Sequence, residues 1–499
     1  MNLKLKCILL SSLLSMTAYG ASIDHIQTYA PEYLGNQAQN GAINGVSPYY
    51  NPAGTTQLEE GFYINGGLQI AAGHEQSEYK EKEYKAIFIQ PVPSIALTKV
   101  NKDSSTYFTF SAIAGGGTLN YKHGVVGTAI IPDLVANLKV GYLNSAAFGM
   151  PTIPSTLAGK KVAVQVLDGT RAKGSNLYSQ MTLGKAFQVN DKLSLSAGIR
   201  FVHGRRDLEG NIKLKAYSPD SPNLDPVLAK LPLEAEIDSK RRAKGFGFVL
   251  GANYKVNDKW NVGMRYDSRV KLNFKASTSE KEISIPTVGG IKHIGFTSDL
   301  YYPQYKDGKK VRRDLPAILA LGTTYQVSDT WKTGLSVNYY FNKNAKMDGQ
   351  KYKNGFEVAF GNEYKLNEKW TLLASINYAK TGALKESYSD VEYALDSIML
   401  GTGVKYQYSP TLELTATVGH YFYRSEEGDI KGRVAKKTDS MIKQLQNVNE
   451  QQKYRKSITA FGLGFTKKFQ YNIHRGGVRS WLEEWFSTEK KLLKKRLKC

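Results

Sequence analysis

The sequence predicts an all-β protein, a fourteen-stranded antiparallel transmembrane β-barrel. Three observations carry that expectation. The first is the stretch at 260–275, WNVGMRYDSRVKLNFK. Its even positions are Trp260, Val262, Met264, Tyr266, Ser268, Val270, Leu272 and Phe274, and seven of these eight are apolar or aromatic. Its odd positions, which include Arg265, Asp267, Arg269, Lys271 and Lys275, are all polar, charged or Gly. Side chains alternate faces along a strand, so this reads as one strand with an apolar wall toward lipid and a charged wall toward a lumen. The second observation is a repeated turn signature: VNDKL at 189–193, VNDKW at 256–260, VSDTW at 327–331, LNEKW at 366–370 and YSPTL at 408–412, with KDSS at 102–105 as a sixth turn. Asn, Asp and Ser favour such turns because their side chains bond the local backbone. The third is asymmetry. Each tight turn follows an even-numbered strand, whereas long polar connections at 122–176, 207–242, 276–314 and 426–454 follow odd ones. Outer-membrane barrels have short periplasmic turns and long outer loops.

Composition agrees. The 499 residues are 41% hydrophobic with a mean hydropathy of −0.39, too polar for a helical membrane bundle. Past residue 20 there is no apolar run long enough for a spanning helix. The formal charge of +23 fits nucleic acid, a lipopolysaccharide surface or an anionic ligand. The Lys and Arg are scattered, and neither an aromatic ribonucleoprotein motif nor zinc-finger spacing is present, so no nucleic acid is expected. Of the two cysteines, Cys7 falls in the leader and Cys499 is left alone, which excludes a disulfide framework or Cys-based metal site within one mature chain. No cofactor or metal is expected.

In chain order, residues 1–20 read as a secretory signal. Lys4 and Lys6 form its basic start, residues 7–16 its apolar core, and Ala18, Tyr19 and Gly20 the small-residue site, with cleavage after Gly20. Residues 23–58 do not alternate and are rich in Asn, Gln, Gly and Ala. They belong either inside the barrel as a plug or in the periplasm as a tail. Fourteen strand candidates follow at about 61–72, 93–101, 106–121, 177–189, 193–206, 243–256, 260–275, 315–327, 331–342, 353–366, 370–381, 393–408, 412–425 and 455–469. Trp or Leu directly after the turns reads as an aromatic girdle. The last strand carries Phe461, Leu463, Phe465 and Phe469 on one face, the aromatic end that barrel-assembly machinery reads. The remainder, 470–499, is basic. Trp481, Leu482, Trp485, Phe486, Leu492, Leu493 and Leu497 would stripe an amphipathic helix, although an appended tail without a role is the favoured reading.

At residues 47–54, SPYYNPAG, the chain resembles the FadL family of outer-membrane long-chain fatty acid transporters. Asn51, Pro52 and Ala53 match the NPA motif at the end of that family's N-terminal hatch, some thirty residues after the expected cleavage and just before the first strand. The resemblance covers about 21–469. It implies a hatch at 21–58 inside a barrel at 59–469, capture of a long-chain fatty acid or other hydrophobic small molecule among the outer loops, and sideways exit at a kink in the third strand. That strand here holds Gly115, Gly116 and Gly117, which weaken pairing and permit a bulge. Relief of crowding over the hatch would explain the same glycines. The connection 122–176 is unusually apolar for an outer loop, and Leu134, Leu138, Leu143, Phe148 and Met150 are candidate groove residues, or else a self-packed cap. A carboxylate ligand needs a cation. The family's basic residue late in strand five aligns best with Arg205, although strict alternation from Leu193 puts Arg205 outside and Arg200 and Arg206 inside, which a bulge near Gly204 would reconcile. Arg265 and Arg269 point inward by parity. Alternatively these arginines form a structural lumen network with Asp267 and Glu413.

Passive, ligand-triggered uptake by a monomer is therefore the leading expectation. A surface adhesin is the alternative, using basic loops that hold Lys306, Lys309, Lys310, Arg312, Arg313, Lys431, Arg433, Lys436 and Lys437. An enzyme is not expected, because the seven His are scattered and neither GxSxG nor HExxH occurs. A hatch argues against an open aqueous porin.

Overall fold

The computed structural model describes residues 27–129, 132, 138–139, 161–228, 234–281, 283–287, 290–294, 305–348, 351–388, 392–429 and 451–470. The expected leader and the tail beyond 470 lie outside them, as do Leu134, Leu143, Phe148 and Met150. Of the loop candidates only Leu138 is described, as a strand residue opposite Val162.

The barrel strands are β1 (Gly61–Tyr79), β2 (Lys82–Asn101), β3 (Ser104–Tyr121), β4 (Arg171–Gln188), β5 (Leu193–Tyr217), β6 (Glu234–Lys255), β7 in two pieces (Trp260–Asp267 and Asn273–Lys281), β8 (Ile318–Gln326), β9 (Trp331–Tyr340), β10 (Gly355–Lys365), β11 (Trp370–Lys380), β12 (Ser397–Ser409), β13 (Leu412–Tyr423) and β14 (Gln451–Phe469). Each pairs antiparallel with its sequence neighbours, and β14 closes onto β1 with Phe469 opposite Phe62. The fourteen-stranded barrel read from the sequence is therefore the fold. Closure gives every strand a partner on both sides over at least part of its length, as a bilayer requires.

The tight turns form as their residue types dictate. The Asn257 side-chain oxygen accepts the Lys259 and Trp260 amides at 2.9 Å, and Asn367 does the same for Lys369 and Trp370. Trp260, Trp331 and Trp370 then stand outward beside the turns. Trp260 Nε1 donates to Thr323 at 2.7 Å and Trp331 Nε1 to Asn362 at 2.9 Å, so each ring keeps a polar tip. Farther along, the outward face is apolar: Ile89 is 72% exposed and Phe246 69%. Side chains that bare form a band only against lipid.

The wall is lopsided. Strands β1 to β6 run 18 to 25 residues, well beyond the 9–11 or so that cross a bilayer. Strands β8 to β13 run 9 to 13. Much of what reads as connection is thus strand. Residues 73–92 hold no loop: β1 and β2 meet in a two-residue turn at Lys80 (φ 48°) and Glu81 (φ 62°). Both positions need positive φ, which normally calls for Gly or Asn, and their absence hides the hairpin.

Strand β7 departs from strict alternation. Asp267 faces Val249 on β6, but Lys275 faces Arg242. Eight steps on β7 match seven on β6, a one-residue bulge that flips every later side chain. Val270, Leu272 and Phe274, expected to face lipid, are instead buried in the lumen at 0%, 0% and 1% exposure. Lys271 and Lys275, expected inside, are exposed.

Candidate ligand path: lumen, hatch and an opening in the wall

Residues 27–58 fill the turn-side half of the lumen. They fold as α1 (Pro31–Gly35), α2 (Ser47–Tyr50) and a 3-10 helix (Pro52–Gln57), nearly all buried. The strands around them carry polar side chains that satisfy the hatch backbone, as buried carbonyls and amides require. Ser375 donates to Gly35 O at 2.9 Å, Asn261 to Gly41 O at 2.8 Å and Thr417 to Pro31 O at 2.8 Å. Where backbone meets backbone the wall uses Gly: a Cβ at Gly263 would overlap the Asn40 carbonyl, and one at Gly401 the Leu34 carbonyl.

The NPA residues anchor this plug. Asn51 Nδ2 donates to Asn253 on β6 at 2.7 Å and to Ala42 O at 3.3 Å, while its oxygen accepts the Gly54 amide at 3.2 Å. Pro52 opens the 3-10 helix, where no amide donor is needed, and Ala53 is fully buried. Thr56 then bonds Ser194 on β5 at 2.6 Å. Asn51→Ala removes one bond each from Asn253, the Ala42 carbonyl and the Gly54 amide, which keep Asn261, Ser47 and the Asn51 carbonyl as partners. We expect it to cost about 0.5–1.5 kcal/mol, read as a lower thermal transition of the folded barrel.

Above the hatch the lumen turns apolar. Phe88, Ile113, Val202, Val270, Leu272 and Phe274 belong to one buried cluster that continues into the hatch rings Tyr29, Tyr33, Tyr49 and Tyr50. Two groups of cations interrupt it. In the lower one, Arg265 Nε lies 3.1 Å from Asp267 and Arg200 Nη1 3.6 Å from the same carboxylate. Arg265 also donates to Gln27 Oε1 at 2.6 Å and to the Tyr49 carbonyl, and sits over the Tyr29 ring at 5.7 Å. In the upper one, Arg206 bridges Asp348 at 3.3 Å and Glu392 at 3.2 Å, Arg241 bonds Asp348 at 3.1 Å, and Arg313 pairs with Glu392.

The structure thus brings Arg200, Arg206 and Arg265 inward and buried. Arg205 faces outward: β4 and β5 stay in register through Gly204, so there is no bulge to turn it. Arg269 follows the β7 bulge and is also outside, 36% exposed, with Nη1 on the Asn344 carbonyl at 2.5 Å. Arg241, Asp348 and Glu392 were missed, and Arg313, read as a loop charge, is buried; only Arg241 could have been found, by extending the alternation of β6.

The wall opens beside this lumen. Strands β2 and β3 pair only from Ser94–Ser111 to Asn101–Ser104. Above that level, β2 pairs with β1 alone and β3 with β4 alone. On β3, five steps from Ala112 to Gly117 match three on β4 from Ser179 to Asn176. The two extra residues arch the strand away from β2, with Gly115 at φ 112° and Gly117 at φ 74°. Gly116 lies between them within the arch. On the facing edge, Pro91 and Pro93 of β2 have no amide to donate. Gln90 reaches into the opening: a Cβ at Gly117 would stand 2.7 Å from its Oε1. The hatch touches the opening's lower lip, where Ser111 Oγ donates to the Tyr29 carbonyl at 2.7 Å and Tyr49 OH to the Phe110 carbonyl at 3.0 Å.

A closed antiparallel barrel with a lipid-facing band, a plug and an apolar lumen defines a multi-pass outer-membrane barrel. The chain belongs to the outer membrane protein transport protein family (OMPP1/FadL/TodX), whose model matches residues 34–472. Outer membrane protein P1 of Haemophilus influenzae is 26% identical over 262 residues, covering 47% of this chain and 53% of that protein. The long-chain fatty acid transport protein of Salmonella typhi is 22% identical over 258 residues, 48% of this chain and 58% of the relative. The chain thus spans about half the length of the curated relatives it matches. The P. putida toluene transporter TodX shares the fold, with a TM-score of 0.58 at 15% identity over 90% of this chain and 100% of TodX. A Pseudomonas aeruginosa FadL homologue also has a TM-score of 0.58, at 15% identity over 89% and 98%.

Proposed function

We propose that this chain carries hydrophobic small molecules, long-chain fatty acids or related compounds, passively across the outer membrane and releases them sideways between β2 and β3. The observation that carries the reading is the loss of β2–β3 pairing above Ser111, which interrupts the wall beside an apolar lumen. Such a route keeps an apolar solute out of water. The hatch blocks the direct route, and its first described residues are bonded to the opening and to Arg265. A ligand that competes for these bonds frees the hatch end and couples entry to exit. Arg200 and Arg265 share one carboxylate, Asp267, and the hydroxyl of Tyr29 has no hydrogen-bond partner among the described residues. That surplus of donors favours an amphiphile with an anionic head over a plain hydrocarbon.

The test is organic extraction of purified, folded barrel followed by mass spectrometry. Co-purifying fatty acid or a detergent of similar shape supports the reading and gives the substrate class. A ligand-free barrel that conducts ions steadily in a planar bilayer overturns it.

A further inference from the structure

The outer surface of β5, β6 and β7 carries a row of cations that transport does not use. Cross-strand register sets Arg205 beside Arg242, Arg242 beside Lys275, and Lys275 beside Lys310 of the short strand Lys310–Arg312. All four project to the outside, with neighbouring strands about 4.8 Å apart. Lys244 and Lys271 are exposed close by on β6 and on the β7 bulge. Like charges directly opposite one another across a sheet are destabilising. Asp207 offsets part of this by pairing with Arg205 at 2.6 Å and with Arg242. Among the described residues, no carboxylate pairs with Lys244, Lys271, Lys275 or Lys310.

The height of the row is informative. Arg205 lies twelve residues beyond Leu193 at the periplasmic turn. At roughly 3.3 Å per residue and a tilt of about 40°, that is about 30 Å up, just above an apolar band about 25 Å tall. Directly below, the same outward face is aromatic. Phe201 and Phe246 touch at 5.1 Å, and Phe248 and Tyr266 at 6.1 Å. The β7 bulge leaves an open groove lined by Tyr266, Arg269, Ala317, Phe341 and Asn344. Cations stacked on an apolar, grooved surface match a molecule with anionic groups at its head and acyl chains beneath.

We propose that this face binds a phosphorylated, multiply acylated glycolipid of the outer leaflet. Lys244, Lys271, Lys275 and Lys310 hold its phosphates, and an acyl chain lies in the groove beside Tyr266 and Phe341. Phosphate is the matching anion because it is the charged group that such a lipid presents at this depth, and each Lys engages it as a point charge. The inference needs only an outer-membrane barrel and does not rest on the transport reading.

The test uses the full chain, folded in mild detergent, titrated with bisphosphorylated lipid A and followed by native mass spectrometry. Wild type should retain the lipid, and K244Q/K271Q/K275Q/K310Q should weaken retention by up to about a thousandfold, at about 1 kcal/mol for each of four cations near an anionic surface. The matching Lys→Arg variant should retain it. Lipid A stripped of phosphate should bind wild type as poorly as bisphosphorylated lipid binds the Gln variant. Millimolar inorganic phosphate should not displace the lipid, because it lacks the chains. Equal retention by wild type and the Gln variant, or by phosphorylated and stripped lipid, overturns the proposal, and so does displacement by free phosphate. Fatty acid uptake by the Gln variant should stay at the wild-type level, which separates this surface from the lumen path.

Discussion

Replacing Gly115 and Gly117 with Val is expected to lower hydrophobic uptake about ten- to a hundred-fold while leaving ligand binding within about twofold. Both glycines sit at positive φ, a conformation that costs a β-branched residue about 1–3 kcal/mol. A Cβ at Gly115 would overlap the Asn176 carbonyl, and one at Gly117 would press on Gln90. The strand relieves both by giving up its arch, which moves β3 toward β2 and narrows the opening. If exit is the slow step, one to three kcal/mol on that barrier gives about the stated factor. The lumen residues are untouched, so the ligand still binds. The check is uptake of a labelled long-chain fatty acid by cells bearing the variant, beside ligand retention by the purified barrel. Normal uptake in a correctly folded double variant sinks the lateral route. Loss of binding together with uptake points to a misfolded lumen instead.

The second large effect is expected at Arg265. Its guanidinium ties Asp267 of the wall to the Gln27 side chain and the Tyr49 carbonyl of the hatch, fully buried. Arg265→Ala removes these bonds and leaves Asp267 to Arg200 alone at 3.6 Å. Breaking one partner of a buried pair costs about 3–5 kcal/mol. The hatch keeps its Asn51 anchor at the far end, so the loss should fall on its first residues. We expect a folded barrel whose hatch end moves, seen as frequent ion-conducting openings in a planar bilayer where wild type is nearly silent. Arg265→Lys keeps the charge but cannot reach all three partners, and should fall between. Wild-type conductance in a folded Arg265→Ala barrel would mean that the hatch is held elsewhere and does not gate at this end.

Much of this architecture is legible one residue at a time. The Asn of each VNDK turn bonds the two amides that follow it, because that is what Asn does in any such turn. Trp after the turn and alternation along each strand follow from the pleat and the lipid. Gly115 to Gly117 marked the arch in β3 because few other residues tolerate that backbone. Arg200 and Arg206 were placed inside by alternation from Leu193, and that is where they are.

What the sequence could not decide is which face a side chain takes once register slips. The β7 bulge lies between Asp267 and Asn273, in a stretch whose alternation is unbroken on paper. Its position depends on β6 hydrogen bonds, set by residues twenty to thirty positions earlier. Because the side-chain period is two, one extra residue sends Phe274 into the lumen and Lys275 to the surface. The opening between β2 and β3 is likewise a property of two edges, prolines on one and an arched strand on the other. The upper ion cluster joins Arg206, Arg241, Arg313, Asp348 and Glu392, contributed by β5, β6 and three connecting segments that only barrel closure brings together. Local chemistry determined the strands, their turns and the hatch anchor. Long-range register decided what the lumen, the opening and the outer surface present.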